Sequence, residues 1–370
     1  MEAQLKWSFK LPKERRVQAR RPVIAGDRVL VCFHYEKAGF YQSKLCAFEA
    51  ATGREIWSCL IDHVGNEPVA AGDITYWSSF AGSIHALDAQ GQLIWQGPEC
   101  GRNIGVPVLS GDRLVFAEIA GGAKFTWCLN RHSGETLWKF EGGGHAYPLT
   151  MADGRVFHSA AASTGMDEPS RCSLHSLSLE TGKSGWSITD SLYFYNPIVS
   201  GKRLYVCNSR ALQIRDAAGG KLLAELPLED QNQTLRLVQG PSEGRFYVWR
   251  DNLRPGADSI TALDVKASRG LFGEKLSLSI AWQRQEARGL CGAPLPVGEQ
   301  GLLYLTHDGV ICRIGASSGA PESEIRLKTQ PSSAGGIALA QGRMFVTHGP
   351  HVFAYELGCN PPLAAETGLR

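Results

Sequence analysis

The chain has 370 residues, a formal net charge of +2 and 20% charged residues, a balance that excludes a nucleic-acid footprint or an acidic tail as its organising feature. Glycine, at 42 residues, exceeds its usual level of about 7% while proline, at 18, does not, which fits many tight turns better than disorder. No stretch approaches the roughly 18 consecutive apolar residues of a membrane span.

The amino terminus, Met1-Glu2-Ala3-Gln4-Leu5-Lys6-Trp7, has charges where an apolar signal core would stand, so the expectation is a protein that is not secreted and works in the cytoplasm. Ten cysteines are scattered through the chain with no C-x-x-C and no adjacent pair. In a large chain this reads as free thiols serving as small buried hydrophobes in a reducing compartment.

After Leu5-Lys6-Trp7-Ser8-Phe9 the chain settles into two alternating signatures. The first is a short apolar strand opened by proline, a Gly-Asp or Asp-Gly turn, and a strand of β-branched and aromatic residues. It begins at Pro22, Pro68, Pro107, Pro148 and Pro197, 39 to 49 residues apart, with turns at Gly26-Asp27, Gly72-Asp73, Gly111-Asp112, Asp153-Gly154 and Gly201-Lys202. Weaker copies start at Leu237, Pro294 and Ile337, which makes eight. The turn supplies the positive φ that a tight hairpin wants, and the spacing is that of one four-stranded propeller blade.

The second signature completes each blade. It reads Ala47-Phe48-Glu49-Ala50-Ala51-Thr52-Gly53-Arg54-Glu55-Ile56-Trp57, Ala86-Leu87-Asp88-Ala89-Gln90-Gly91-Gln92-Leu93-Ile94-Trp95, Cys128 to Trp138 through Ser133-Gly134, and Ser176 to Trp186 through Thr181-Gly182. Later copies change. Arg215 to Lys221 has no tryptophan, Ala262-Leu263-Asp264 reaches Trp282 only after a long insertion, and Cys312 to Gly319 stops at Ala320-Pro321. A strand, a Thr-Gly turn and a strand carrying tryptophan form a hairpin whose indole packs between blades.

These residues resemble the pyrroloquinoline-quinone-type propeller repeat, Ala-x-Asp-x-x-x-Gly-x-x-x-Trp, over nearly the whole chain. The expected fold is therefore all-β, one eight-bladed β-propeller spanning 1–370. The last blade has no outer strand of its own before a tail at 358–370. Trp7 stands in the outer-strand place, so a strand at about 4–10 is expected to pair with strands at about 336–357 and close the ring, removing two open sheet edges.

Segments leading into successive innermost strands gather around one mouth of the channel. They carry Arg20, Arg21, Arg102, Asn103, His145, Tyr147, Tyr193, Tyr195, Arg236 and Arg288. This polar, aromatic and arginine-bearing set suits an acidic peptide or a small anionic ligand. The run Lys13-Glu14-Arg15-Arg16 with Arg20-Arg21 reads first as a solvated loop and second as a contact for phosphate or an acidic partner. His34–Lys44, Ser163–Arg171, Asp251–Ser259 and Ala267–Ser279 read as loops interrupting the hairpins, and Leu271 and Phe272 are apolar enough for a docking element. The second half of the ring, where the tryptophan motif lapses, is the sector expected to be shaped for a partner.

His348 and His351 have metal-like spacing, but His307 repeats the place of His348 one blade earlier, so repeat position accounts for it and no metal is expected. Phosphate-loop and zinc-protease patterns are absent. The resemblance implies quinone and Ca²⁺ in catalytic members of the family, held by acidic and amide ligands and often capped by an adjacent-cysteine disulfide. This chain has no such cysteine pair, so no cofactor is expected. The resemblance also implies interaction scaffolds in bacterial multi-protein systems, defence systems among them, and in outer-membrane assembly, where a lipoprotein signal is expected and this amino terminus shows none. The sequence reading is a non-catalytic cytoplasmic scaffold or recognition module with a protein or peptide partner; a cofactor-bearing oxidoreductase is the alternative.

Overall fold

The computed structural model describes residues 3–12, 15–101, 104–118, 125–142, 149–162, 171–208, 210–228, 234–240, 244–251, 258–270 and 273–358. Every regular element among them is a β-strand, and the strands form eight antiparallel sheets, the blades of an eight-bladed propeller. The third blade is representative: Val108–Ser110 innermost, then Arg113–Ala117, Phe125–Asn130 and Thr136–Glu141 outermost. Its inner turn holds Gly111 at φ +52° in open space, the left-handed conformation the Gly-Asp signature implied.

The ring closes as the sequence indicates. Ala3–Lys10 pairs with His351–Leu357 as the outermost strand of the eighth blade, from Ala3 opposite Leu357 to Lys10 opposite His351, with a bulge between Leu5 and Trp7. Eight apolar clusters then fill the eight seams between neighbouring blades. The core is a ring of inter-blade contacts, and its alternating strands present one apolar face to each neighbour.

At the lower end of most seams an indole clasps the next blade. Nε1 of Trp7, Trp57, Trp95, Trp138, Trp186 and Trp282 donates to the backbone oxygen of Ala50, Ala89, Arg131, Leu179, Ala217 and Ala316 at 2.8–3.1 Å. Each ring lies beneath a turn glycine of that blade: Gly53, Gly91, Gly134, Gly182, Gly220 and Gly319. These glycines have φ between +66° and +77°, and a Cβ on any of them would meet indole carbons at 2.5–2.8 Å, so both backbone conformation and close approach require glycine. The arginine of the Gly-Asp-Arg signature supports the same joint, since Arg28 and Arg245 also donate to the oxygens of Ala89 and Ala316. The string Gly315-Ala316-Ser317-Ser318-Gly319, which matches a serine-hydrolase pattern in letters, is the turn above Trp282 and has none of the strand–turn–helix context of a nucleophile elbow.

Two seams lack the indole, and packing explains both. The fourth strands keep one register, with a bulge beside the tryptophan place, and that place holds Ala224 in the fifth blade and Ser323 in the seventh. Tryptophan is paired across the sheet with Ala354, Ala47, Ala86, Cys128, Ser176 or Ala262, whereas Ala224 and Ser323 face the larger Ile214 and Arg313. The next blade explains the loss. The sixth blade has no glycine turn there, because Asp258–Gly270 and Gly273–Glu286 run on as one long hairpin. The eighth has none because its last two strands come from opposite ends of the chain. At the first gap Val265, Leu276 and Leu278 of the long hairpin pack with Ala224 and Leu226; at the second Tyr355, Ala3 and Leu357 pack with Ile325.

Two of the expected loops are thereby corrected. Residues 267–279 are mostly paired strand that closes a seam, with Leu271 and Phe272 outside the described residues. Residues 34–44 continue the middle strands of the first blade, Arg28–Lys37 and Phe40–Glu49, to a two-residue turn at Ala38-Gly39. Pairing continues through both segments, to Lys37 opposite Phe40 in one and Gly270 opposite Gly273 in the other, so the backbone hydrogen-bond ladder runs on.

Deleting residues 3–10 opens the eighth blade and removes the Trp7 clasp together. The expected loss exceeds the about 3–5 kcal/mol of a single buried Trp→Ala change, read as a fall in the urea midpoint; an unchanged midpoint contradicts closure by this strand.

Candidate binding face

The clasps lie at the lower end of the ring, and the loops between blades gather at the upper end. A second tier of hydrogen bonds pins those loops. Thr347 Oγ1 donates to the Arg20 oxygen at 2.8 Å, Ser43 Oγ donates to the His63 oxygen and accepts from the Gly65 amide, Ser78 Oγ donates to the Gly105 oxygen, and Ser159 Oγ donates to the Phe194 oxygen. The Leu290 amide donates to Asp258 Oδ2 at 2.7 Å. In each case a middle strand holds the loop that begins the following blade, which satisfies polar groups that burial would otherwise penalise.

The residues expected at the mouth separate into groups. Arg102, Asn103, His145 and Tyr147 lie outside the described residues, as do 163–170 and 252–257 of the expected loops. Tyr195 is 7% exposed and packs with Tyr205 and Leu237 in the seam between the fifth and sixth blades, so it belongs to the core. Arg20 is half-buried, with Nε 2.5 Å from Nε2 of His34. Arg288 is held by Glu286 (2.9 Å) and Glu324 (3.0 Å), and these carboxylate bonds keep its charge fixed. Burial raises the Glu286 carboxyl, but its bonds from Arg288 and Tyr304 outweigh this and lower it overall. That cluster spans the sixth and seventh blades and is already neutralised, so it does not present a free cation to an anion. Arg21 and Arg236 are exposed, the latter over the Trp249 ring at 5.2 Å, and Tyr193 is half-buried beside Tyr195.

His307 and His348 are tied to the backbone, and His34 and His158 are buried. His348 Nε2 lies 3.2 Å from the His307 oxygen and His307 Nε2 lies 3.2 Å from the Leu290 oxygen, one blade after another. Burial, with Arg20 nearby, holds the His34 imidazole down to about 3, and burial, with His175 nearby, does the same to His158. Among the described residues no three His, Cys, Asp or Glu side chains converge for a metal ion.

The feature that sequence reasoning missed is the tip of the long upper hairpin in the first blade. Its middle strands run ten residues each, against four to six in the second, third, fifth and seventh blades. Phe40 is 75% and Tyr41 53% exposed there. Ala38 and Gly39 turn the chain with φ +51° and +83°, the two positive values of a type I′ hairpin. The signal was present in the sequence: Tyr35, Phe40 and Tyr41 flank an Ala-Gly pair within an otherwise unbroken strand pattern.

Two of the buried histidines set a pH dependence. An unfolded histidine takes up a proton near pH 6.5, whereas folded His34 and His158 resist it to about 3. The unfolded state therefore binds more protons between these values, and stability present above pH 6.5 is lost as pH falls. The expected slope is up to about 1.4 kcal/mol per pH unit for each group. Urea titrations of the wild type and His158→Gln between pH 7.5 and 5 check this: the variant should show a shallower slope, and equal slopes contradict it.

The family described as outer membrane protein assembly factor BamB matches residues 3–96 and 81–254. The curated BamB of Legionella pneumophila (strain Paris) is 28% identical over 209 residues, an alignment spanning 52% of this chain and 48% of that protein, so the match extends over about half the length of the relative. Among solved structures, BamB from Moraxella catarrhalis superposes with a TM-score of 0.66 at 16% identity, covering 98% of this chain and 99% of the other. Sqt1 from Chaetomium thermophilum, bound to the N-terminus of ribosomal protein L10, superposes with a TM-score of 0.70 at 14% identity, covering 96% and 100%. Likeness at these identities is likeness of fold.

Proposed function

The chain belongs to the quinoprotein-type propeller-repeat family of the outer membrane protein assembly factor BamB, and from that membership we propose that it is a non-catalytic scaffold that holds a protein partner on the upper face of the ring. The observation that carries the reading is the pair Phe40 and Tyr41, large aromatic side chains left 75% and 53% exposed at the end of a braced hairpin. Aromatic anchors on rigid supports are the usual energetic centres of protein interfaces. The Sqt1 propeller, which carries a bound peptide segment, offers a precedent in the same architecture.

The proposed setting is a cytoplasmic multi-protein assembly, such as a bacterial defence system. Cys32, Cys46, Cys128, Cys172, Cys207 and Cys312 are free and buried, which supports a reducing compartment. Burial raises the Cys32 and Cys207 thiols to about 12, so these are packing groups with little thiolate character.

A tagged chain expressed in its native host is expected to retain one protein partner at fixed stoichiometry through gel filtration. Phe40→Ser with Tyr41→Ser should lose that partner with an unchanged thermal midpoint, because neither ring supports the core. Retention by the double variant, or the absence of any stoichiometric partner, contradicts the proposal.

A further inference from the structure

The upper hairpin stands in the most basic part of the chain. Residues 13–44 hold eight lysines and arginines against three carboxylates, Glu14, Asp27 and Glu36, although the whole chain nets only +2. The remainder is therefore net acidic, and the positive charge is concentrated on the segment that builds the exposed tip. Four of these cations have partners: Arg28, buried at the lower end, lies on Asp73, Arg20 is held by His34, Arg16 pairs with Glu36, and Lys44 pairs with Glu55. Arg16, Arg21 and Lys37 are exposed on the upper side.

The tip is organised before any partner arrives. Arg15–Ala19 runs as an extra strand beside Arg28–Lys37, with Ala19 opposite Phe33 and Gln18 opposite His34. Arg16 pairs with Glu36 at 3.2 Å. The amides of Leu11 and Ala19 donate to the oxygens of Pro350 and Gly349 at 3.0 and 2.7 Å, tying this strand to the eighth blade. Below the tip, Ser43 Oγ lies 2.8 Å from Nδ1 of His34. The pairing register puts Phe40 on one face of the hairpin with Lys37, and Tyr41 on the other with Glu36. An aromatic ring beside a cation on a pre-ordered support binds at low entropic cost, and the charge selects the sign of what approaches.

We infer that this hairpin docks an acidic segment of the partner protein that carries an aliphatic or aromatic anchor, the anchor packing on Phe40 beside Lys37, the carboxylates meeting Lys37 and Arg16, and Tyr41 offering a second apolar contact on the opposite face. The inference rests on the scaffold reading and names the chemistry of its partner. Charge complementarity favours this occupant, and the exposed rings add an apolar requirement that a purely electrostatic contact with phosphate does not have.

The test uses the full chain and an array of twelve-residue peptides in which Asp/Glu, Ser/Gln or Lys/Arg backgrounds each carry one Leu, Phe or no anchor. Single-stranded DNA and vesicles containing anionic lipid serve as phosphate-bearing controls. Binding is expected to select acidic peptides with an anchor, and to weaken as salt rises from 50 to 300 mM. For a selected peptide, Phe40→Ser with Tyr41→Ser should raise Kd tenfold or more, and Lys37→Glu with Arg16→Glu at least fivefold. Selection of neutral or basic peptides, equal binding of anchor-free acidic peptides, preference for DNA or vesicles, or affinities unmoved by either pair of changes overturns the inference. If capture of the host partner still depends on Phe40 and Tyr41 while acidic peptides are not preferred, the inference falls and the scaffold reading stands. If capture is independent of both rings, the scaffold reading falls as well.

Discussion

An indole lying under a glycine turn and donating to a neighbouring carbonyl is the joint on which this ring depends. It joins two blades through apolar contact, one part-buried hydrogen bond and a backbone conformation open to glycine. Its constraint is two-sided: a blade carries a useful tryptophan only when the following blade offers a turn to receive it. The same constraint places a small residue opposite each indole, as at Ala47 and Ala262, and lets Ile214 stand where the indole is missing. The lapses at Ala224 and Ser323 are consequences of a lengthened hairpin in one blade and of ring closure in another.

Several of the described polar groups at the upper face are committed to the fold. Arg288 is absorbed between Glu286 and Glu324, Arg20 by His34, and Tyr195 by a seam. The long upper hairpin is different. Its lower part fills the seams of the first blade, with Phe33 and Tyr35 in the core, while Phe40 and Tyr41 leave that core. A fold whose stability comes from nearest-neighbour contacts tolerates such an outgrowth, because lengthening one hairpin leaves the other seams untouched.

Much of the fold was legible because each blade repeats the same letters for the same physical reason. The proline-led strand, the Gly-Asp turn, the Thr-Gly turn and Trp7 each mark a local backbone requirement, and together they specify the blade count and the closure. The site was less legible because its determinants are non-local. Arg288 meets Glu324 from another blade, and nothing near Arg288 in sequence announces it. Tyr193 and Tyr195 look equivalent by alternation, yet the second lies in a seam. Segments 34–44 and 267–279 read as loops because insertion and strand extension share the same turn residues, and only continued pairing tells them apart. The sector expected to serve a partner was inferred from lost tryptophans, whereas the exposed aromatic tip belongs to the first blade.

The account of the joint is tested most directly by a double-mutant cycle on Trp138 and Gly182, where a Cβ would stand 2.6 Å from the indole. Gly182→Ala combines the strain of a positive φ with a clash, and removing the ring by Trp138→Ala abolishes the clash alone. The account predicts that Gly182→Ala costs markedly less in the Trp138→Ala background, a coupling of about 1–3 kcal/mol in urea unfolding. Additive effects of the two substitutions would contradict it.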